Sequence, residues 1–169
     1  NWKGSNADFD RDRSVNLSPE VFAEPVVAKY HCHACPLGCG GVMARNSPWP
    51  GANKPEYETV MSLGGLLLND NAESIFRMNE ALNRAGMDSI SAGGTIAFAI
   101  ECFEKGILSE RDTGGLKLTW GNHEAMMTLV DMMIARQGLG DVLADGAPFC
   151  WKDRKSAFYC PSHNAKTQN

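Results

Sequence analysis

The chain has 169 residues, of which 43% are hydrophobic and 21% charged, as in an ordinary soluble globular domain or two small ones. Its formal net charge of −4 provides no basic surface for nucleic acid, so no nucleic acid partner is expected. No apolar run approaches the roughly 20 residues of a membrane helix, and the N-terminus has neither an initiator Met nor a signal-peptide profile. We therefore expect a cytoplasmic chain, without membrane contact, that begins inside a longer reading frame or has been processed at its N-terminus.

The N-terminal part combines a polar lead-in, one short helix and a long loop. Residues 1–17 are polar and charged and show no periodicity. A helix is predicted to begin after Ser18 as N-cap, with Pro19 at its first position. It should kink or end at Pro25, because a proline ring clashes with the preceding turn. Residues 31–56 are rich in Cys, Gly and Pro and have no period of either kind, which predicts a loop.

From residue 57 onward the pattern is helical, with apolar residues at three- and four-residue steps. Capping residues mark the predicted starts and glycines the predicted ends. The predicted helices run from a capping-box pattern at 70–73 to Gly86, from about Ser91 to Lys105, from Asn122 as N-cap to Gly138, and from Asp141 onward. The one alternating stretch is 116–120. The predicted fold class is mostly α, a helical domain with a cysteine-rich loop near the N-terminus and little or no β-structure.

The chain changes character after residue 146. Residues 147–169 are aromatic, basic and polar, without helical periodicity. We expect one helical domain over residues 1–146 and a divergent tail over residues 147–169. Cys150 and Cys160 lie in that tail.

Three of the six cysteines, Cys32, Cys35 and Cys39, lie within eight residues. A chain of this length without a secretion signal is not typical of a disulfide framework, and such close spacing favours a metal centre. Thiolates are soft ligands that suit iron–sulfur clusters and zinc. The proline and glycines within this stretch favour the tight turns that bring three thiolates together.

Spacing alone leaves three interpretations of these cysteines open. The two-then-three spacing differs from the bacterial ferredoxin pattern, and a cubane cluster needs a fourth ligand from elsewhere in the sequence. Zinc would add His31 or His33 to the three thiolates, although a zinc ribbon would have a second Cys-x-x-Cys. The third interpretation is thiols without any metal. Cys102 falls on a predicted helix and is expected to pack in its core.

Five ordered segments together resemble the aldehyde ferredoxin oxidoreductase family, the tungsten- or molybdenum-bispterin enzymes. The first is Cys-His-Ala-Cys-Pro-Leu-Gly-Cys-Gly, which begins at Cys32. The segments are residues 32–40, 55–59, 86–91, 96–101 and 121–125. Each is weak alone, but their order and spacing are specific together. The resemblance covers residues 1–146 and only part of a full family member.

The resemblance implies roles for particular residues. Cys32, Cys35 and Cys39 match three ligands of the family's [4Fe–4S] cluster, whose fourth cysteine lies in a later domain. Glu58 matches an acidic position near the pterin-bound metal, where a carboxylate acts as a general acid or base. Without the resemblance, Glu58 is expected to be a solvated loop residue.

The resemblance also implies a pterin contact segment from Asn83 to Asp88. Family members have Asp where this chain has Asn83. An amide still hydrogen-bonds to a pterin ring but brings no charge, which weakens the predicted contact.

The resemblance implies part of an oxidoreductase that oxidises aldehydes to carboxylic acids, or reduces a related substrate. Electrons would pass through the [4Fe–4S] cluster to ferredoxin or another electron-transfer protein. The expected partners also include the remaining domains or subunits of the enzyme. The alternative is a stand-alone helical module that binds a metal or an iron–sulfur cluster, or a remnant without catalytic activity.

Overall fold

The computed structural model describes residue 5 and residues 7–146. The predicted tail, with Cys150 and Cys160, lies outside the described residues, so its boundary stays a prediction. The elements in chain order are α1 (Arg11–Val15), α2 (Pro19–Ala23), β1 (Val26–Tyr30), β2 (Gly40–Met43), α3 (Tyr57–Leu63), a 3₁₀ turn (Gly65–Leu67), α4 (Ala72–Ala85), α5 (Ser89–Glu104), α6 (His123–Ala135) and α7 (Leu139–Leu143). The predicted mostly helical fold class is confirmed.

The starts of α4, α5 and α6 follow capping side chains, whereas α6 ends at Ala135 rather than at the predicted Gly138, with Arg136 in the left-handed conformation. Asn71 and Asn122 cap α4 and α6 by accepting backbone N–H groups of Ser74 and Ala125, and Gly86 ends α4 in the left-handed conformation. Helix α5 begins earlier than predicted, because Asp88 accepts the backbone N–H of Ser91 and caps it. Such side-chain acceptors satisfy N–H groups that the first helical turn leaves without a partner.

The predicted loop over 31–56 is wrong at Gly40–Met43, which forms β2. It pairs antiparallel with β1, placing Tyr30 opposite Gly40 and Lys29 opposite Gly41. Two glycines at the start of β2 remove the alternation by which a strand is recognised. Its pairing with β1 is therefore visible only in three dimensions.

The alternating stretch 116–120 is not a strand. Its pattern instead reflects burial, since Leu118 is 1% exposed and packs in the core, whereas Lys117 and Thr119 point to solvent. The stretch precedes the cap of α6, and the Lys117 carbonyl accepts the backbone N–H of Thr119 and the side-chain amide of Asn122.

The core lies between α3, α4, α5 and α6. It is built around completely buried aliphatic side chains, which are Leu63, Leu67, Ile75, Leu82, Ile96, Ile100 and Leu129. Helices α3 and α5 approach at backbone distance, because a Cβ on Gly93 would lie 2.6 Å from the Ser62 carbonyl oxygen. Among the described residues, no helix combines the length and apolar character needed to cross a membrane.

Candidate metal centre

The loop between β1 and β2, residues 31–39, carries all three clustered cysteines and is called the cysteine loop below. Cys32 is exposed, whereas Cys35 and Cys39 are partly buried, and all three are thiols outside any disulfide. The backbone N–H of Cys35 donates to the Cys32 carbonyl at 3.0 Å, which closes a tight turn over the Cys-x-x-Cys segment. The hairpin loop thus carries three thiols, which are soft metal donors.

Left-handed backbone precedes two of the cysteines. Ala34, directly before Cys35, has φ 58°, and Gly38, directly before Cys39, has the same φ. Glycine adopts this conformation without penalty, but an L-residue such as alanine loses roughly 1–2 kcal/mol there. Strain of this kind is typical of segments whose shape is set by a function.

Glu56 lies beside Cys32, a contact that cysteine spacing does not predict. The Cys32 thiol donates to Glu56 Oε1 across 3.8 Å. The negative charge of Glu56 raises the pKa of Cys32, and burial and the two neighbouring thiols act in the same direction. The contact with Glu56 therefore favours the protonated thiol of Cys32.

Glu56 reaches the loop because the chain after β2 folds back along this strand. The backbone N–H of Lys54 donates to the Gly41 carbonyl at 2.7 Å, and Asn53 forms an isolated bridge with Val42. The side-chain amide of Asn79 in α4 also donates to the Asn53 carbonyl at 3.0 Å. These bonds hold Glu56 and the start of α3 next to the cysteine loop.

Glu58 lies exposed in the first turn of α3. Its carboxylate is the main cause of a raised pKa at Tyr57, to which Cys39 and Cys35 contribute less. The start of α3 is thus close enough to the cysteines for their charges to interact. The catalytic role of Glu58 stays a prediction.

Asn83 and Asp88 lie at neighbouring ends of α4 and α5. Asn83 is exposed in the last turn of α4. Asp88 accepts the backbone N–H of Ser91 at 2.6 Å, which lowers the pKa of its carboxyl. Capping of α5 explains Asp88 without a ligand, so a pterin contact by either residue stays a prediction.

The donor chemistry of the cysteine loop fits an iron–sulfur cluster. Within the described residues, no three His, Cys, Asp or Glu side chains gather tightly enough to hold a metal ion. A cubane cluster spreads its ligands further, because each of its four iron atoms takes one thiolate. Cys102 is buried at 3% exposure within α5, as predicted.

A separate cavity of about 550 Å³ lies between α2, the hairpin and α4. Its lining includes Val21, Met43, Trp49, Glu73 and Phe76. None of the residues predicted for the metal or pterin site lines it. The cysteine loop and the start of α3 thus form a candidate site distinct from this cavity.

Comparison with known proteins places the chain in a family. Residues 1–156 match the family model described as "Aldehyde ferredoxin oxidoreductase, domains 2 & 3". The tungsten-containing aldehyde ferredoxin oxidoreductases of Pyrococcus furiosus and Thermococcus kodakarensis are each 38% identical to this chain over 135 residues. The match covers 76% of this chain and 22% of each relative, so the chain spans about a fifth of their length.

A solved structure is similar as well. It is described as "Active site complex BamBC of Benzoyl Coenzyme A reductase in complex with 1,5 Dienoyl-CoA" and is 28% identical to this chain, with a TM-score of 0.59. The similarity covers 75% of this chain and 18% of that one. Sequence and fold agree, and the chain belongs to the aldehyde ferredoxin oxidoreductase family.

Proposed function

We propose that this chain is the cluster-bearing part of a tungsten- or molybdenum-pterin oxidoreductase. Cys32, Cys35 and Cys39 would hold three iron atoms of a [4Fe–4S] cluster. The observation that carries the proposal is the position of these cysteines on one hairpin turn, in a chain whose residues 1–156 match domains 2 and 3 of the family. The fourth thiolate would come from a later domain of the enzyme rather than from Cys150 or Cys160.

The chain's own residues would bind the cluster and handle protons near it. When bound, the pterin-held metal supplies the two-electron oxidation of an aldehyde to a carboxylic acid, and the cluster supplies one-electron transfer to ferredoxin. The turn closed by the Cys35 N–H and the Cys32 carbonyl would hold these two thiols beside a bound cluster. Glu58, exposed at the start of α3, would take up or release a proton beside the substrate.

Pterin contacts would come from the ends of α4 and α5. Asn83 presents an amide that both donates and accepts hydrogen bonds. The Asp88 carboxylate already accepts one N–H from α5, and a carboxylate has lone pairs left for a second donor. These two residues would orient the pterin without supplying its redox chemistry.

Anaerobic expression of the full 169-residue chain, followed by iron, acid-labile sulfide, zinc, tungsten and molybdenum analysis, tests the proposal. We expect iron and sulfide in the wild type, their loss in Cys35→Ser, and no change in the matched control Cys160→Ser. Zinc without iron or sulfide would overturn the cluster. Iron and sulfide without tungsten or molybdenum would select the stand-alone iron–sulfur module.

A further inference from the structure

Aromatic rings lie over the two glycines that flank Cys39. A Cβ built on Gly38 would be 2.5 Å from Cε1 and 2.9 Å from Nδ1 of His31. A Cβ built on Gly40 would be 2.6 Å from Cζ and 2.7 Å from Cδ2 of Tyr30. Each ring therefore packs against the backbone of a glycine, and a larger residue in place of that glycine would clash with the ring.

The Tyr30 ring is set by strand pairing. Tyr30 is the last residue of β1 and lies directly opposite Gly40, the first residue of β2. The φ of Gly40 is not in the left-handed region, so the glycine is required by the room that the ring takes. An aromatic ring across a glycine replaces the missing side-chain contact of a strand pair.

The His31 ring packs on Gly38, on the other side of Cys39, and also contacts Cys35. Its Nδ1 lies 3.3 Å from the Cys35 carbonyl oxygen. A carbonyl oxygen can only accept, so this hydrogen bond forms in the tautomer that carries the proton on Nδ1. The same ring covers Gly38, so one side chain holds the backbone next to two of the three cysteines.

We propose that Tyr30 and His31 are positioning residues for Cys39, whose backbone they hold from both sides through Gly38 and Gly40. The positioning of Cys39 does not depend on the proposed function. Only the identity of the cluster that Cys39 would bind rests on it. Neither ring is required to touch the cluster. Their effect is to restrict the loop before assembly, so that less conformational freedom is lost when three thiolates bind one centre.

Alkylation of the cluster-free full chain with iodoacetamide, resolved by mass spectrometry for each cysteine peptide, tests the positioning. We expect His31→Ala and Tyr30→Ala to raise the Cys39 rate by about fivefold, the ratio set by loss of one ordinary hydrogen bond or contact. The rate of exposed Cys32 serves as internal reference. His33→Ala, an exposed histidine of the same loop, is the matched control and should leave the Cys39 rate unchanged.

Conservative variants separate the ring from its polar atom. Tyr30→Phe keeps the ring and should behave as wild type. His31→Phe keeps the ring but cannot donate to Cys35, so the Cys39 rate should rise less than in His31→Ala. If Tyr30→Ala, His31→Ala and His31→Phe all gave the wild-type Cys39 rate, the positioning role would be overturned.

Glycine variants test the same contacts from the other side. Gly40→Ala should speed alkylation of Cys39 in the wild-type background, but have much less effect when combined with Tyr30→Ala, because the clash is with that ring. Such non-additivity is the signature of direct contact. Additive effects in this double-mutant cycle would contradict the proposed contact.

Reconstitution with ferrous iron and sulfide separates this inference from the proposed function. In a wild type that binds both, Tyr30→Ala and His31→Ala should change the cluster's midpoint potential and electron paramagnetic resonance line shape, which general stability does not set. Unchanged spectra together with unchanged alkylation would overturn the positioning role alone. A wild type that binds neither iron nor sulfide overturns the proposed function, and the alkylation ratios then decide the positioning role.

Discussion

The side-chain oxygen of Thr59 lies 2.8 Å from that of Ser89, which joins the start of α3 to the start of α5. Thr59 follows Glu58 in sequence, and Ser89 follows Asp88. Thr59 is buried, so its hydroxyl has no water to replace the bond. Two residues predicted for the catalytic and pterin sites are thus carried by helix ends that are tied together.

Thr59→Val should lower the free energy of unfolding by about 1–2 kcal/mol, because it leaves the buried side of the Ser89 hydroxyl without its partner. Urea unfolding followed by circular dichroism measures this loss. Thr128→Val is the control, since Thr128 is exposed on α6 and bonds only within its own helix turn. Equal stability of Thr59→Val and the control would mean that the Thr59–Ser89 bond does not stabilise the fold.

Two adjacent glycines in α5 should respond oppositely to alanine. Gly93→Ala places a Cβ against Ser62 and should destabilise the chain by about 1–3 kcal/mol through overpacking. Gly94 has nothing within 4 Å of its Cβ position, so Gly94→Ala should stabilise by about 0.5–1 kcal/mol through helix propensity. Urea unfolding of both variants checks the pair, and a common sign would contradict the close α3–α5 approach.

The helices were predictable because their signals are local. Asn122 caps α6 as predicted, and the capping-box pattern at 70–73 marks the start of α4, which Asn71 caps. Helix α5 begins at Ser89, two residues before the predicted start, because Asp88 caps it. Capping chemistry depends on only a few neighbouring residues, so it can be read without the fold.

The hairpin and the surroundings of the cysteines were not predictable in the same way. Gly40 and Gly41 carry no alternation, and their strand is defined by partners in β1. Glu56 is 24 residues from Cys32 in sequence and reaches it only after Lys54 bonds to Gly41. Cysteine spacing therefore indicates candidate ligands, whereas the contact between Cys32 and Glu56 comes from non-local pairing.

Arg13 should stabilise the chain in a pH-dependent way. Its Nε donates to the Asp70 carboxylate at 3.0 Å, and this bond is the main reason that the pKa of Asp70 is lowered from 3.8. A carboxyl whose pKa is lower in the folded state stabilises the fold at pH values above its unfolded-state pKa. This stabilisation is lost as the pH falls through the folded-state pKa. Arg13→Met should therefore cost about 1 kcal/mol at pH 7, discounted for partial exposure, and progressively less below pH ~4.

Urea midpoints of wild type and Arg13→Met between pH 2 and 7 check this expectation. Arg77→Met is the control, because Arg77 and Asp131 are both more than half exposed and their pair should contribute little at any pH. A stability difference for Arg13→Met that stayed constant to the lowest pH would assign its effect to the bond with the Leu68 carbonyl instead.

Glu56→Gln should lower the pKa of Cys32. The Glu56 charge is the first cause of the raised pKa, and an amide of the same size removes that charge while keeping a polar group beside the thiol. At a pH below the Cys32 pKa, the variant should therefore alkylate faster at Cys32, with its rate profile shifted to lower pH. Glu58→Gln is the matched control, since Glu58 is not among the causes of the Cys32 shift. Coincident pH profiles for wild type and Glu56→Gln would show that the 3.8 Å contact does not hold the proton on Cys32.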